Sequence, residues 1–353
     1  MKQITDPYLI KAYPLSRLYL GLASMICNLI FVWGLFFLCW GDGAPQPTPT
    51  LVNLLWVVPA VFAVLLLINL PADYVAGYFL EKRSGRYNGT FFNWFGQWLA
   101  GGIAYGALQT LGGYLFAFWI FGYGFSLVVV LLLPGIVAGA RIWQFFLIPK
   151  NLRAAGIWPE GYETNLRSEL KKLKEPWPDD LYLYRSEDGS MLNGGRVGMG
   201  SHSRLMISDA CPQALSPREL AVLITREERH LGWAASQKHF HIALGWGLLG
   251  ILLTIPGIPL LGLSGVCSWL WMLAALTSWH CLSLVTLPSI SRRQILKADA
   301  ELVRGDVTKK EYAALLRKVQ SYNWTPVHAM GITEILFYSV PSLETRLNRM
   351  ERL

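Results

Sequence analysis

The segment Leu215–Leu231, with the sequence LSPRELAVLITREERHL, lies within the longest polar part of the chain. Ser216 is a favourable N-cap, Pro217 suits the first helical turn, and Glu219 completes a capping box with Ser216. The segment therefore predicts a helix that begins at Pro217 and runs into the charged sequence TREERHL. Four apolar residues of this helix are expected to point toward a core: Leu220, Val222, Leu223 and Ile224.

Two strand patterns precede this helix in the polar segment, which covers residues of roughly 150 to 240. Leu181–Tyr184 alternates as a strand does, and Arg204–Asp209 is typical of a second strand. The glycines Gly194 and Gly195 lie between the two predicted strands rather than at the opening of a helix. This position excludes a dinucleotide-binding fingerprint.

The composition of the whole chain is that of a membrane protein. Of its 353 residues, 53% are hydrophobic and only 15% are charged, and the mean hydropathy is +0.35. An average soluble domain is about one-quarter charged. The composition excludes intrinsic disorder, which requires low hydrophobicity and high charge, and it disfavours an ordinary soluble enzyme.

The apolar residues form four long blocks, and a helical span needs roughly 20 such residues. The four blocks are Leu18–Gly41, Leu51–Ala72, Gly101–Ala140 and Ile242–Ser291. Apart from His280 in the last block, they contain no charged residue and no histidine. The first two blocks predict one span each. The last two are long enough for two spans each, with breaks at Gly122–Gly124 and Ile255–Pro259. The predicted fold class is a mainly α, polytopic membrane protein with about six transmembrane helices and a cytoplasmic α+β domain.

The basic residues are distributed unevenly among the links between these spans. The links Gly41–Thr50, Gly122–Gly124 and Pro256–Gly265 contain no Lys or Arg, and in a six-span arrangement they share one side of the membrane. All 31 Lys and Arg residues then lie on the other side. The positive-inside rule predicts an integral multi-pass protein of the plasma (inner) membrane, with both termini cytoplasmic. The net charge of +8 indicates membrane lipid as a partner and no nucleic acid.

The positions of the five cysteines do not indicate a disulfide framework. Four of them lie in the apolar blocks, and none forms a CxxC pair; they are Cys27, Cys39, Cys211, Cys267 and Cys281. The sequence therefore predicts neither a disulfide framework nor a cysteine-based metal site.

Several stretches together resemble the HtpX and type 1 CAAX prenyl protease family of membrane-embedded zinc metallopeptidases. Around the predicted helix these are Ser186–Gly200, Arg204–Asp209 and Leu215–Leu223; elsewhere they are Leu70–Arg83, Gly96–Leu99, Ile290–Arg293, Ala298–Asp299 and Tyr338–Arg346. The resemblance covers most of the chain after about Leu70. It implies a zincin-like cytoplasmic domain, an HExxH helix, and a later helix with an ExxxD motif.

The resemblance also implies a division of the chain into four parts. Residues 1–148 are predicted to form an N-terminal membrane domain with four spans, and residues 149–240 a cytoplasmic peptidase-like domain. Residues 241–290 are predicted to form two further spans. Residues 291–353 are predicted to form a cytoplasmic C-terminal part that carries the second metal helix.

The metal-binding chemistry of that family is degenerate in this sequence. A zincin helix needs His at positions i and i+4 and Glu at i+1, but the chain has REERH, with Arg226 at the first ligand position. Glu227 stands at the base position and His230 at the second His. The third ligand of the family is the Glu of the ExxxD motif, four residues before the Asp. In this chain, Asp299 matches the Asp, and Ile295 stands where the Glu would be. Arginine cannot ligate a metal, since it has no free lone pair and stays protonated.

The resemblance therefore implies a vestigial site. Glu227 is its vestigial base, and Arg226, His230 and Ile295 are its degenerate metal positions. Asp299 occupies the place behind the metal, where the family's Asp orients a ligand His. No cofactor is expected. The competing interpretation treats the charged residues as a solvated helix face with i,i+3 and i,i+4 pairs.

Asn193 precedes the two glycines between the predicted strands. In the family, the matching Asn sits at the strand that holds the substrate backbone. The alternative is an ordinary turn residue beside Gly194 and Gly195.

Three functions follow from the residues. The leading one is a catalytically inactive pseudopeptidase that binds a peptide, a lipidated peptide or a partner protein. The first alternative is an active zinc metalloendopeptidase with a remodelled site, which would require zinc. The second is transport or lipid handling through the intramembrane chamber typical of the prenyl protease branch.

The replacement of a metal ligand by Arg226 leads to a geometric expectation. Without a dication, Asp299 and Glu227 would leave uncompensated negative charge in a partly buried site. We expect the planar guanidinium of Arg226 to pair with Asp299, Glu227 or both, with Ile295 contributing packing. The rival arrangement has Arg226 pointing outward into water or toward lipid headgroups.

Overall fold

The computed structural model describes most of the chain. The described residues are 7–41, 51–85, 87–107, 109–114, 139, 158–184, 191–197, 204–229, 233–323, 325, 327–328 and 331–353. The chain divides into two compact units. The first unit comprises Met1–Ile136 and Trp246–Ser283, and the second comprises Val137–Gly245 and Leu284–Leu353.

The described part of the chain is mostly helical. The N-terminal half of the sequence begins with α1 (Pro7–Gly41), α2 (Leu51–Asp73), a π-helical segment (Tyr74–Phe79), α3 (Leu80–Arg83) and α4 (residues 91–107 and 109–114). Next come α5 (Tyr162–Lys172), β1 (Leu181–Tyr184), β2 (Gly194–Val197), β3 (Arg204–Ser208), α6 (Cys211–Ala214) and α7 (Pro217–Arg229). The rest is α8 (Trp233–Thr254), α9 (Gly257–Leu260), α10 (Gly265–Arg304), α11 (Lys309–Asn323), α12 (Ile332–Phe337) and α13 (Leu343–Glu351).

Among the described residues, four helical stretches are long and apolar enough to cross a membrane. They are Tyr13–Gly41, Trp56–Arg83, His241–Leu260 and Gly265–Arg304. The break predicted in the fourth apolar block is present, because α8 ends at Thr254 and α10 begins at Gly265. The predicted break at Gly122–Gly124 lies outside the described residues, so the count of six spans stays a prediction.

The core of the first unit is built by α1, α2 and α10. Val32 and Phe36 of α1 pack with Val58 of α2 and with Trp269 and Leu270 of α10, and all five are buried. A disulfide between Cys39 and Cys267 joins α1 to α10 near these residues. The expectation that the cysteines form no disulfide was therefore wrong. The partners are 228 residues apart, and only helix packing brings them together.

The second unit contains a three-stranded sheet with the order β1-β3-β2. The strand β3 pairs in parallel with β1 and antiparallel with β2. The strands predicted at Leu181–Tyr184 and at Arg204 are confirmed, the latter ending at Ser208. Gly194 and Gly195 begin β2 rather than a turn between strands. The strand that the resemblance implies at this position is therefore present, and the alternative of an ordinary turn was wrong. The residues alone did not indicate the strand, because two glycines have no side chains that could alternate.

The helix α7 begins at Pro217, as predicted. The capping box is reciprocal: the Ser216 amide donates to Glu219 Oε2 (2.7 Å), and the Glu219 amide donates to Ser216 Oγ (3.3 Å). Three of the four predicted core residues are buried, whereas Leu223 is only partly buried. They pack in one core with residues of α5, α6 and α11 and with Leu215, which follows α6. The partners from the three helices are Leu166, Leu170, Cys211, Tyr312 and Leu315.

The helices α8 and α10 approach each other closely at a glycine. Trp279 of α10 stacks on Trp246 of α8, with ring centroids 4.6 Å apart, and its Nε1 donates to the Trp246 carbonyl oxygen (2.8 Å). A Cβ added at Gly250 would lie 2.3 Å from Trp279 Cδ1. Small residues allow membrane helices to approach in this way.

We expect Gly250→Ala to destabilise the detergent-solubilised protein by about 1–3 kcal/mol, because the held indole cannot move aside. The matched control is Gly247→Ala on the same helix, where the added Cβ meets no atom within 4 Å. The control should be neutral or slightly stabilising. Thermal unfolding of both variants measures the difference, and equal stability of the two would contradict the described contact.

Candidate functional site

The charged segment of α7 is buried against α10 rather than solvated. Arg226 Nε donates to Asp299 Oδ1 (2.9 Å), and Arg226 Nη1 donates to Glu227 Oε1 (2.6 Å). The three residues are only 8%, 8% and 1% exposed, for Arg226, Glu227 and Asp299 respectively. The predicted ion pair is therefore present, with both carboxylates as partners. The outward-facing arrangement of Arg226 was wrong, and so was the solvated-face interpretation for Arg226 and Glu227.

Two further residues, neither predicted from the sequence, complete the network around Asp299. Arg346 of α13 donates from Nε to Asp299 Oδ2 (2.6 Å) and from Nη2 to Asp299 Oδ1 (2.9 Å). The Tyr312 hydroxyl of α11 donates to Asp299 Oδ1 (2.6 Å) and accepts from Arg346 Nη2 (2.9 Å). Four helices, α7, α10, α11 and α13, thus meet at one carboxylate. We call Arg226, Glu227, Asp299, Tyr312 and Arg346 the arginine network.

The charges of the arginine network balance: two guanidiniums face two carboxylates. Burial alone would lower the pKa of Arg226, but Tyr312, Asp299 and Glu227 together raise it above its ordinary value. Burial raises the pKa of the Glu227 carboxyl, the Arg226 guanidinium opposes this rise, and Asp299 adds to it. Burial also raises the pKa of Tyr312, which keeps its hydroxyl a neutral donor.

A second ion group holds the neighbouring strand against α7. Arg196 of β2 donates from Nη1 to Asp180 Oδ2 (2.7 Å) and from Nη2 to Glu228 Oε2 (2.8 Å). Glu227 and Glu228 therefore point to different partners, although they are adjacent in sequence. Glu227 belongs to the arginine network, and Glu228 binds Arg196 and so holds β2 against α7.

Hydrogen bonds within the C-terminal part of the chain position α13, which carries Arg346. Ser342 caps α13 by accepting from the Thr345 amide. The Ser342 amide donates in turn to Glu334 Oε1 (2.8 Å), and Arg292 of α10 donates to the Glu334 carbonyl oxygen (2.9 Å). These bonds link α10, α12 and α13, and they hold Arg346 against Asp299.

Four of the predicted site residues surround one cavity of about 280 Å³ in the second unit: Asn193, Arg226, Glu227 and Ile295. Asp299 lies behind the cavity wall and is almost completely buried. His230 lies outside the described residues, so its placement is not part of this geometry. The cavity also includes Arg346 and Tyr312. The only sequence signal for Arg346 was its place at the end of the Tyr338–Arg346 stretch.

The residues at this site do not fit a zinc ion. The first ligand position holds a guanidinium that contacts both carboxylates, and the third holds Ile295, which has no donor atom. Glu301, the nearest later glutamate, instead pairs with Lys297 on the exposed side of α10 (3.6 Å). In the described part of the chain, no group of three or more His, Cys, Asp or Glu side chains is arranged to hold a metal.

Comparison with known proteins gives a structural relative but no sequence relative. No family model and no curated protein sequence matches this chain. The chain superposes on the crystal structure of S. mikatae Ste24p with a TM-score of 0.72 and 17% sequence identity, covering 96% of this chain and 87% of that chain. At this identity the similarity establishes the fold. The prediction of a mainly helical membrane protein is therefore confirmed, with the fold of Ste24p.

Proposed function

We propose that this chain is a membrane pseudopeptidase: a peptidase scaffold that binds a peptide, a lipidated peptide or a partner protein and does not cleave it. The observation that carries the proposal is the position of the Arg226 guanidinium, bonded at once to Asp299 and Glu227. In the resembling family these positions belong to a metal ligand, the residue behind the metal, and the base. A fixed monovalent cation thus takes the electrostatic place of a dication, without offering a coordination site.

The same bonds explain why hydrolysis is not expected. In a zincin, the glutamate at the base position activates a water bound to the metal. Here Glu227 Oε1 is bonded to Arg226 (2.6 Å). The guanidinium cannot bind and polarise a water as a Lewis acid does. The proposed function needs no cofactor.

Two features of the described sheet support the binding of a polypeptide. In the described sheet, β2 pairs with β3 along one side only, which leaves its other side for an extended chain. Asn193 lies at the start of β2 and borders the cavity. Its carbonyl oxygen accepts from the Ser208 amide (2.9 Å), so the strand that would receive the polypeptide is held firmly to the sheet.

We also propose an integral plasma (inner) membrane location with both termini cytoplasmic and membrane lipid as a partner. The disulfide between Cys39 and Cys267 supports this orientation. In the sequence, Cys39 lies two residues before the link Gly41–Thr50 and Cys267 two residues after the link Pro256–Gly265. Neither link contains Lys or Arg, and the positive-inside rule puts such links outside the cytoplasm. Disulfides persist in oxidising compartments, so the two arguments agree.

The metal content of the purified protein tests the proposed function. We expect well below one zinc per chain by elemental analysis after expression with added zinc. Thermal stability should not change when a chelator is added, because no metal supports the fold. The double variant Arg226→His/Ile295→Glu should acquire zinc and gain thermal stability when zinc is present.

The matched control for that variant is Arg218→His/Ile295→Glu. Arg218 lies on the same helix but pairs with Glu311 (2.7 Å), so a histidine there adds a donor without rebuilding the site. One tightly bound zinc per wild-type chain, together with cleavage of a peptide substrate, would overturn the pseudopeptidase proposal and favour an active metallopeptidase.

Thiol labelling tests the orientation. In a Cys27→Ser/Cys281→Ser background, sealed vesicles with the extracytoplasmic face outward are reduced and treated with a membrane-impermeant maleimide. Cys39 and Cys267 should be labelled after reduction and protected before it. Labelling that requires permeabilised vesicles would place these helix ends in the cytoplasm and contradict the orientation.

A further inference from the structure

Two stretches of the first unit that the proposed function does not use contact each other: Leu70–Arg83 and Gly96–Leu99. Trp98 Nε1 of α4 donates to Asp73 Oδ2 at the end of α2 (2.9 Å). In the sequence, Asp73 comes directly after the uncharged block Leu51–Ala72. An aspartate that ends a predicted span, with a tryptophan beside it, is expected at the level of the lipid headgroups.

The Asp73 carboxylate is exposed, and no Lys or Arg of the described residues pairs with it. Among those residues, its one hydrogen bond is the one from Trp98, which leaves Oδ1 unused. Its side chain makes no capping bond to the π-helical segment that follows. No Lys or Arg lies between Arg17 and Lys82 in the sequence, and Arg17 pairs with Glu81 (3.0 Å). Asp73 can therefore attract a cation from the membrane surface.

Aromatic rings form a continuous wall next to this carboxylate. The ring of Tyr74, the residue after Asp73, meets Phe91 and Trp94 edge to face, with centroids 5.9 Å apart in both pairs. Trp94 stacks on Trp98, with centroids 6.2 Å apart. We call Tyr74, Phe91, Trp94 and Trp98 the aromatic wall. Tyr74 remains 37% exposed, so a cation bound at Asp73 can also contact an aromatic ring, whose face attracts cations.

The two helices expose apolar side chains on the bilayer side of the carboxylate. Leu67 lies six residues before Asp73 on α2, Ile103 lies five residues after the bonded tryptophan on α4, and both are exposed. The helices pack closely at this level, since a Cβ added at Gly102 would lie 2.7 Å from Leu66 Cδ1. A carboxylate with exposed apolar residues on its bilayer side matches a lipid that has a cationic group at its headgroup.

We propose that Asp73 binds the primary ammonium group of phosphatidylethanolamine, with Tyr74 in cation–π contact and the acyl chains along α2 and α4. The inference rests on the proposed membrane location, since it names the class of lipid that the protein binds there. A primary ammonium can donate to Oδ1 in a charge-assisted hydrogen bond. The quaternary ammonium of phosphatidylcholine has no N–H to donate. The headgroup of phosphatidylglycerol carries negative charge alone, which the carboxylate repels.

Native mass spectrometry of the delipidated full-length protein in detergent tests this site. The probes are phosphatidylethanolamine, phosphatidylcholine and phosphatidylglycerol with the same palmitoyl and oleoyl chains. We expect phosphatidylethanolamine to bind at least about tenfold more tightly than either of the others, as for a hydrogen bond to a charged group. This comparison uses the wild-type protein, so it does not depend on whether a variant folds.

Variants of the site separate the charge from the fold. Asp73→Asn keeps an oxygen that can accept from Trp98 but removes the charge. It should bring the affinity for phosphatidylethanolamine to within about twofold of that for phosphatidylcholine, with unchanged thermal stability. The matched control is Glu81→Gln, a carboxylate of the same unit that Arg17 already neutralises, and it should keep the preference. Tyr74→Leu should weaken binding roughly two- to fivefold, whereas Tyr74→Phe keeps the ring and the affinity.

The outcomes distinguish this inference from the proposed function. Equal affinity for phosphatidylethanolamine and phosphatidylcholine, or tighter binding of phosphatidylglycerol, would overturn recognition of a primary ammonium. An unchanged preference in Asp73→Asn would overturn the assignment to this carboxylate. Each of these results leaves the pseudopeptidase proposal and the proposed orientation standing. Binding of none of the three lipids would overturn both this site and membrane lipid as a partner.

Discussion

The buried carboxylate of Asp299 is the group on which the arrangement of the second unit depends. It is 1% exposed and accepts four hydrogen bonds, two from Arg346, one from Arg226 and one from Tyr312. Taking a carboxylate out of water costs several kcal/mol unless its partners are complete and well placed. Those partners come from α7, α11 and α13. The Asp299 carboxylate therefore has all its hydrogen-bond donors only when α7, α11 and α13 are packed correctly on α10.

In the proposed function, the arginine network takes the electrostatic place of a metal ion within the fold that the chain shares with Ste24p. A metal ion between carboxylates provides positive charge and an open coordination position. Arg226 provides positive charge through its bonds to Asp299 and Glu227 but no coordination position, and Ile295 lines the cavity. A guanidinium in that place compensates the carboxylates but would supply no Lewis acidity. The fold shared with Ste24p therefore does not determine the function, which depends on a few side chains within it.

Local chemistry and the family resemblance predicted much of the second unit. The capping box set the start of α7, the alternating residues gave β1 and β3, and the spacing of REERH and Asp299 gave the ion pair with Arg226. The contributions of Tyr312 and Arg346 could not be predicted, since they lie 13 and 47 residues after Asp299 and reach it through helix packing. The residue pattern alone did not indicate β2, because its first two residues are glycines, whereas the resemblance implied a strand at Asn193. The disulfide of Cys39 and Cys267 was missed because apolar helices place cysteines together without any sequence spacing.

A double-mutant cycle measures most directly the structural ion pair of Arg226 and Asp299, which we propose to stand in place of a metal. The cycle compares Arg226→Met, Asp299→Asn and the double variant by the free energy of unfolding in detergent. The account predicts that each single change costs about 3–5 kcal/mol, because it leaves a buried charge uncompensated, and that the coupling energy lies in the upper half of the range of about 0.5–3 kcal/mol. The more exposed pair of Arg218 and Glu311 should give less than about 1 kcal/mol. Additive effects of the Arg226 and Asp299 changes would contradict the account.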